Sequence, residues 1–325
     1  MLSSTPESAT RSPGPAAARG GEGRSTVRLA VRRFWRNANA RAGLVLILLF
    51  ALIAIFAPLI APYGYDDENL VNRLKPPSAA HWFGTDALGR DVYSRVLDGA
   101  RISMTVGFVA VSGALATGAL LGITAGYVGG RTDGTIMRLM DVMLAFPSII
   151  LAIGIVAMRG PGLNNTILAV SIVHIPAFAR VARASTLAIK AHKYVTAARA
   201  VGARSLRVLL RTILPNAASP LVVQATLGIA TAILDAAALG FLGLGAQPPS
   251  PEWGAMLADS YSYLLTAFWA ALAPGVAIGL VVLSFNLAGD GLHDALDPRL
   301  STGGAGGWVG AGLRRGRLGA ALSRS

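Results

Sequence analysis

Few side chains in this chain could make or break a covalent bond. It has no cysteine and only four histidines, which show no ligand spacing, so thiolate chemistry and cysteine metal sites are excluded. No Gly-x-x-x-x-Gly-Lys-Ser/Thr phosphate loop, Gly-x-Ser-x-Gly elbow or His-Glu-x-x-His pair occurs. No catalytic residue, metal or cofactor is therefore expected, and ATP hydrolysis would have to reside in another subunit. The informative polar groups sit inside apolar runs instead: Asp235, His174 and the helix-disrupting Pro147. An ionised carboxylate in hydrocarbon costs roughly 2.5–3.5 kcal/mol on insertion scales, so Asp235 must face protein or water. It reads either as part of a solute path or gate, or as a structural acceptor for backbone or Thr231. His174 reads either as a titrating path residue or as a satisfied packing residue. Without a partner acid in the same spans, a proton relay is not indicated.

The elements that must hold these residues are membrane spans. The chain of 325 residues is 53% hydrophobic and 14% charged, with mean hydropathy +0.55, too apolar for a water-soluble domain of this length. A span takes about 20 apolar residues. Six candidates emerge, over 42–61, 102–127, 136–158, 166–184, 221–244 and 267–288. The first run is too long for a signal h-region and lacks an Ala-x-Ala site, so it reads as a retained anchor. Net charge +13 raises the possibility of nucleic acid as a partner, but the cations flank the spans and are not interleaved with aromatic residues, which excludes a stacking platform. Of the 29 Lys and Arg, 23 fall on one side of the six-span arrangement and six on the other. The richer side is expected to be cytoplasmic and to hold both termini.

The resulting layout is a basic cytoplasmic segment over 1–41, a first span over 42–61, an extracytoplasmic loop over 62–101, a five-helix core over 102–300 and a flexible tail over 301–325. The first 25 residues read as disordered. The alternation of Val27, Leu29, Val31, Phe34 and Trp35 with Arg28, Arg32, Arg33 and Arg36 suits either a helix on an anionic lipid surface or an ordinary basic flank. Within the second span Ala110, Ala114, Gly118, Gly122 and Gly126 recur every four residues, a stripe expected at a helix contact within the subunit or across a dimer. Gly275 and Gly279 repeat the device. Pro147 and Pro176 are expected to kink spans three and four.

Between spans four and five, a polar and basic stretch contains Lys193-Tyr-Val-Thr-Ala-Ala-Arg-Ala-Val-Gly202 and ends with Ile213-Leu-Pro-Asn216. It reads as helix, glycine break, helix and proline stop: Gly202 in the left-handed position, Ser205 capping the second helix, Pro215 ending it. This pattern resembles the EAA loop of permease subunits in ATP-binding-cassette (ABC) importers. The resemblance implies that an ATPase groove receives Tyr194, Thr196, Ala197, Ala198, Arg199, Ala200, Gly202, Ala203, Leu214, Pro215 and Asn216, within a coupling loop at about 185–220. Two positions depart from the pattern, Thr196 where Glu is usual and Thr212 where His is usual.

Further runs are Phe83-Gly-Thr-Asp-Ala-Leu-Gly-Arg-Asp91, Gly126-Tyr-Val-Gly-Gly130, Gly240-Phe-Leu-Gly-Leu-Gly-Ala-Gln-Pro248 with Trp253-Gly254, and Asn286-Leu-Ala-Gly-Asp-Gly-Leu-His-Asp294 with Asp297-Pro-Arg299. Together they resemble the C-type permease of dipeptide, oligopeptide and nickel importers. Asp235 stands where that family commonly has Glu. The resemblance implies an all-α membrane protein with six transmembrane helices, the type I ABC importer permease fold, in a prokaryotic inner membrane. Its implied partners are a second permease subunit, two ABC ATPases, an extracytoplasmic substrate-binding protein and membrane lipid. Di- or oligopeptides are the expected cargo, with nickel, glutathione or another small solute as the alternative. A secondary transporter or channel is a distant rival, lacking the broken-helix pair and multiple deep charges such proteins use.

Overall fold

The computed structural model describes residue 29 and residues 31–296. The readings for the first 25 residues, for Val27 and Arg28, for Asp297-Pro-Arg299 and for the tail lie outside them. Residues 31–36 are helical, and the remaining described elements are helices apart from one isolated bridge between Thr85 and Asp91.

Helix α1, Ala38–Ile60, starts where the Asn37 side chain accepts the N–H groups of Asn39 and Ala40. It packs on the last helix, α10, Phe268–Leu296, through glycines: a Cβ at Gly43 would lie 2.5 Å from the Ala288 nitrogen. Its other flank, with Val45, Leu48, Leu52, Ile55 and Leu59, is exposed and apolar. Helix α2, Val92–Val128, begins ten residues before the expected second span because Asp91 caps it, accepting from the Ser94 N–H at 2.8 Å. At about 1.5 Å per residue its 37 residues reach about 55 Å, well beyond the hydrocarbon core.

The small-residue stripe of α2 faces helix α5, Leu163–Lys190, so the contact lies within the subunit. Added methyls at Gly118 would meet the Phe178 Cβ and the Ile175 carbonyl, at Gly122 the Ala179 carbonyl, and at Gly126 Thr186. Ala110 and Ala114 are fully buried. Gly279, by contrast, faces open space.

The third expected span is corrected. In place of one kinked helix over 136–158 there are two, α3 (Gly130–Leu144) and α4 (Ser148–Arg159), bent by 90° at Ala145–Pro147. Pro147 has no N–H to continue the ladder, its ring disfavours a helical Phe146, and its own backbone is extended at ψ 133°. Pro176 does not act so, since α5 runs unbroken through it. Among the described residues, five helices are long and apolar enough to cross a membrane, and six spans result if the bent pair counts as one.

After α5 come α6 (Lys193–Ala200), α7 (Ser205–Val208), a π turn over Leu209–Ile213 and α8 (Leu214–Phe241). Two further readings are corrected. Ser205 does not cap α7: Arg204 holds the cap position, without a side-chain bond. Pro215 is no stop, because it sits in the first turn of α8. The π turn closes an i→i−5 bond from Leu214 N–H to the Leu209 carbonyl, and the Asn216 side-chain amide donates to the Thr212 carbonyl at 2.6 Å. The wider turn and the amide satisfy carbonyls beside the proline, so the helix passes through.

Opposite the elbow, buried charges knit the segment before α2. Arg90 Nε contacts Asp86 at 2.7 Å, and the buried Arg95 guanidinium donates to the Tyr65 carbonyl at 2.7 Å. Helix α9, Trp253–Tyr261, is tied to α2 by the Trp253 indole donating to the Val96 carbonyl at 3.0 Å. Its cap is the buried Glu252, which accepts the N–H groups of Gly254 and Ala255. Burial pushes the Glu252 carboxyl up to about 7, against the lowering effect of those two bonds.

Replacing Gly122 by Leu should destabilise the purified protein by at least about 1–3 kcal/mol, since the new side chain lands on α5 backbone. Gly134→Ala, with nothing within 4 Å, should leave the melting temperature unchanged or slightly raised. Thermal unfolding in detergent compares the two. A second outcome concerns pH. The folded protein holds the Glu252 proton up to about 7 whereas the unfolded chain releases it near 4.5, so this contribution is full below 4.5 and lost as pH rises through 7. Melting scans from pH 5 to 8 should show a decline that Glu252→Gln flattens.

Candidate functional site

The elbow is anchored on one side and open on the other. Val195, Val208 and Ile213 are buried and hold α6, α7 and the π turn to the bundle. Tyr194, Val201, Leu206 and Leu210 stand exposed, and Tyr194 stacks on His192 at 5.3 Å between ring centres. Such apolar exposure on a basic loop, beside Lys193, Arg204, Arg207 and Arg211, forms a surface suited to a protein partner. Gly202 has φ +83°, the left-handed conformation that its residue type permits without strain. The Ala203 N–H reaches back to the Ala198 carbonyl at 3.0 Å, closing the six-residue loop that ends α6.

Of the sequence-derived elbow residues, Tyr194, Thr196, Ala197, Ala200, Gly202, Leu214, Pro215 and Asn216 are exposed, while Ala198 and Ala203 are half-buried. Arg199 lies in α6, and its side chain is outside the described set. The small residues therefore leave the tip of the elbow low, with the larger apolar side chains around it. A Cβ at Gly202 would meet nothing within 4 Å.

The structure joins two of the path candidates. His174 Nε2 on α5 lies 3.0 Å from Asp235 Oδ2 on α8. His174 thus has an acid partner, contrary to the sequence reading, and Thr231 is not the donor to Asp235, since its hydroxyl bonds the Gly228 carbonyl at 3.0 Å. The pair spans 61 residues of sequence, a distance over which no local pattern reports contact. Pro147 is exposed at the break between α3 and α4, on neither of the two helices that carry the pair.

Sequence reasoning missed two ion pairs that fasten α3 to α5. Arg183 grips Asp133 with both Nε and Nη2, at 2.5 and 2.6 Å, and Arg180 meets Asp141 at 2.7 Å. The available signal was the presence of two arginines inside an apolar run, which demands acid partners. Among the described residues, no group of three or more His, Cys, Asp or Glu could hold a metal ion.

The family described as "Binding-protein-dependent transport system inner membrane component" matches residues 118–302, and "N-terminal TM domain of oligopeptide transport permease C" matches residues 25–77. The "Dipeptide transport system permease protein DppC" of Alkalihalophilus pseudofirmus is 52% identical over 85% of this chain and 90% of its own length. The "Glutathione transport system permease protein GsiD" of Escherichia coli O6:K15:H31 is 50% identical over 83% of this chain and 89% of its own. Among solved structures, an inward-facing conformation of the MetNI methionine ABC transporter superposes with a TM-score of 0.53 at 21% identity, covering 62% of this chain and 96% of that one, a likeness of fold. With apolar helices that cross the bilayer several times and no ATP-binding loop of its own, the chain belongs to the inner-membrane permease components of binding-protein-dependent ABC importers, which work with a separate ATPase and a separate substrate-binding protein.

Proposed function

We propose that this chain pairs with a second, related permease subunit and that the two enclose an inward path for peptides of a few residues. The observation that carries the coupling side of this reading is the elbow, a low, small-residue tip in a left-handed turn, ringed by exposed apolar side chains and leading directly into the helical run from Ser205 to Phe241. Tyr194, Thr196, Ala197, Ala198, Arg199, Ala200, Gly202, Ala203, Leu214, Pro215 and Asn216 enter a groove of an ATPase subunit, one ATPase for each permease. The preponderance of Lys and Arg on the elbow side supports a cytoplasmic elbow and cytoplasmic termini.

On the opposite face the substrate-binding protein docks over 64–101 and 245–262, where the buried Asp86, Arg90 and Arg95 give the surface a rigid base. The exposed apolar flank of α1 meets lipid. Asp235, His174 and Pro147 border the path, since an accessible acid and a broken helix are tolerated at membrane depth beside water or protein. Peptide cargo is supported by the 52% identical dipeptide permease. Glutathione is the second reading, favoured by a relative 50% identical over a similar share of the chain.

Purification from mild detergent is expected to bring down two ATPase chains and a second permease, and a homo-oligomer without ATPase would refute the assignment. In vesicles holding that assembly and its binding protein, Gly202→Val should cut ATP-driven dipeptide uptake by more than tenfold while leaving membrane insertion intact. Uptake at the wild-type rate would sink the proposed coupling role of the elbow.

A further inference from the structure

The His174–Asp235 pair uses only one oxygen of its carboxylate. His174 Nε2 meets Oδ2, and Oδ1 has no partner among the described residues. Ser103 Oγ is the one fully buried, unbonded side-chain polar atom among those residues, so Asp235 Oδ1 is accessible from outside the chain. The carboxylate side chain is a quarter exposed and the imidazole 13%. Along α8 the neighbouring outward positions are Thr231, one turn before, and Ala238, one turn after. The Thr231 hydroxyl proton is already directed to the Gly228 carbonyl, so this strip offers an incoming group one strong acceptor, set between the small Ala238 and the exposed apolar side chains of Leu234 and Phe241.

An accessible carboxylate oxygen on a membrane-spanning helix does not face hydrocarbon. Its complement is a cation with N–H donors. A resident metal ion does not fit, because no group of three ligating side chains surrounds it among the described residues. A primary ammonium does fit: it needs one charge-assisted acceptor and can make its other hydrogen bonds to water or carbonyls. His174 fixes Oδ2 and thereby aims Oδ1 outward.

We infer that Asp235, oriented by His174, is a subsite for the free amino terminus of a peptide in transit. The inference rests on the reading of Asp235 as bordering the path. One accessible acceptor makes a weak site, as a conduction pathway requires: strong enough to attract the charged end, weak enough to release it. His174 is a positioning residue, acting through the carboxylate.

This chain has no cysteine, so a thiol introduced into it is the only one on this subunit; the test uses the complete importer reconstituted in vesicles with its second permease, ATPases and binding protein, and labelling is read on this subunit after the chains are separated. Ala238→Cys places a single thiol one turn from Asp235, and its modification is timed with cationic and anionic thiosulfonate reagents of equal size. The expected result is faster modification by the cationic reagent, by about tenfold or more, the size of one charge-assisted interaction. That preference should vanish in the double variant carrying Asp235→Asn, and millimolar dipeptide should slow modification while the N-acetylated dipeptide does not. If the thiol is unreactive toward both reagents, the path reading fails and takes the subsite with it. If the thiol reacts but shows no charge preference, or keeps one after Asp235→Asn, the path stands and the ammonium subsite is overturned. Asn matches Asp in shape and can still accept from His174, and co-purification of the partner subunits verifies that each variant assembles. His174→Gln supplies a second check, with partial loss of the cationic preference expected and full retention ruling out the positioning role.

Discussion

Hydrocarbon gives apolar helices no reason to leave lipid for one another, so their association depends on how closely their backbones can approach. In this chain that condition is met above all between α2 and α5. Gly118, Gly122 and Gly126 bring α2 against the backbone and small side chains of α5 at Ile175, Ala179 and Thr186. The stripe follows the every-fourth-residue row of a helix surface, so one helix lies in the groove of the other over three turns. Dispersion over that length, with no void for a lipid tail, fixes α5 in place.

Much of the polar architecture then hangs on α5. Near its start the Thr166 hydroxyl contacts the Leu244 carbonyl at 3.1 Å, at the end of the α8 segment. Midway His174 meets Asp235. Toward its far end Arg180 and Arg183 hold α3, and at its last residue the Lys190 ammonium donates to the Tyr127 carbonyl at 2.7 Å while lying over the Tyr127 ring. A helix short of hydrogen-bonding neighbours in lipid gains register from such pairs more than net affinity, because each charge also loses hydration. The ion pairs also explain how α3 stays seated after the chain turns through 90° at Pro147.

The long apolar runs, the small-residue stripe and the glycine turn at Gly202 were legible because each is a local signal: length, spacing by four, or a single permissive residue. The remainder depended on neighbours far away in the chain. Pro147 and Pro176 look alike in sequence, yet one ends a helix and the other lies buried within α5, fixed between packed neighbours. Pro215 resembled a terminator because propensity treats proline as one, and the π turn with the Asn216 amide bond was not visible in residue types. Asp133 and Arg183 are 50 residues apart, so their bidentate pairing is a product of topology. The start of α2 was hidden by Arg95, Asp98 and Arg101, which depress hydropathy without opposing a helix.

The unbroken run from Ser205 to Phe241 is a lever. At about 1.5 Å per residue its 37 residues measure about 55 Å, and Asp235 lies some 45 Å from the elbow end. A rod of that length gripped near its middle transmits a tilt to both ends with opposite sense, and a few degrees displace each tip by one to two ångströms, about a hydrogen-bond length's tolerance. His174 belongs to a different rod, α5, seated by its own stripe. Relative tilting of the two would therefore be measured most sensitively at the His174–Asp235 contact, making the 3.0 Å separation a gauge of the angle between the helices.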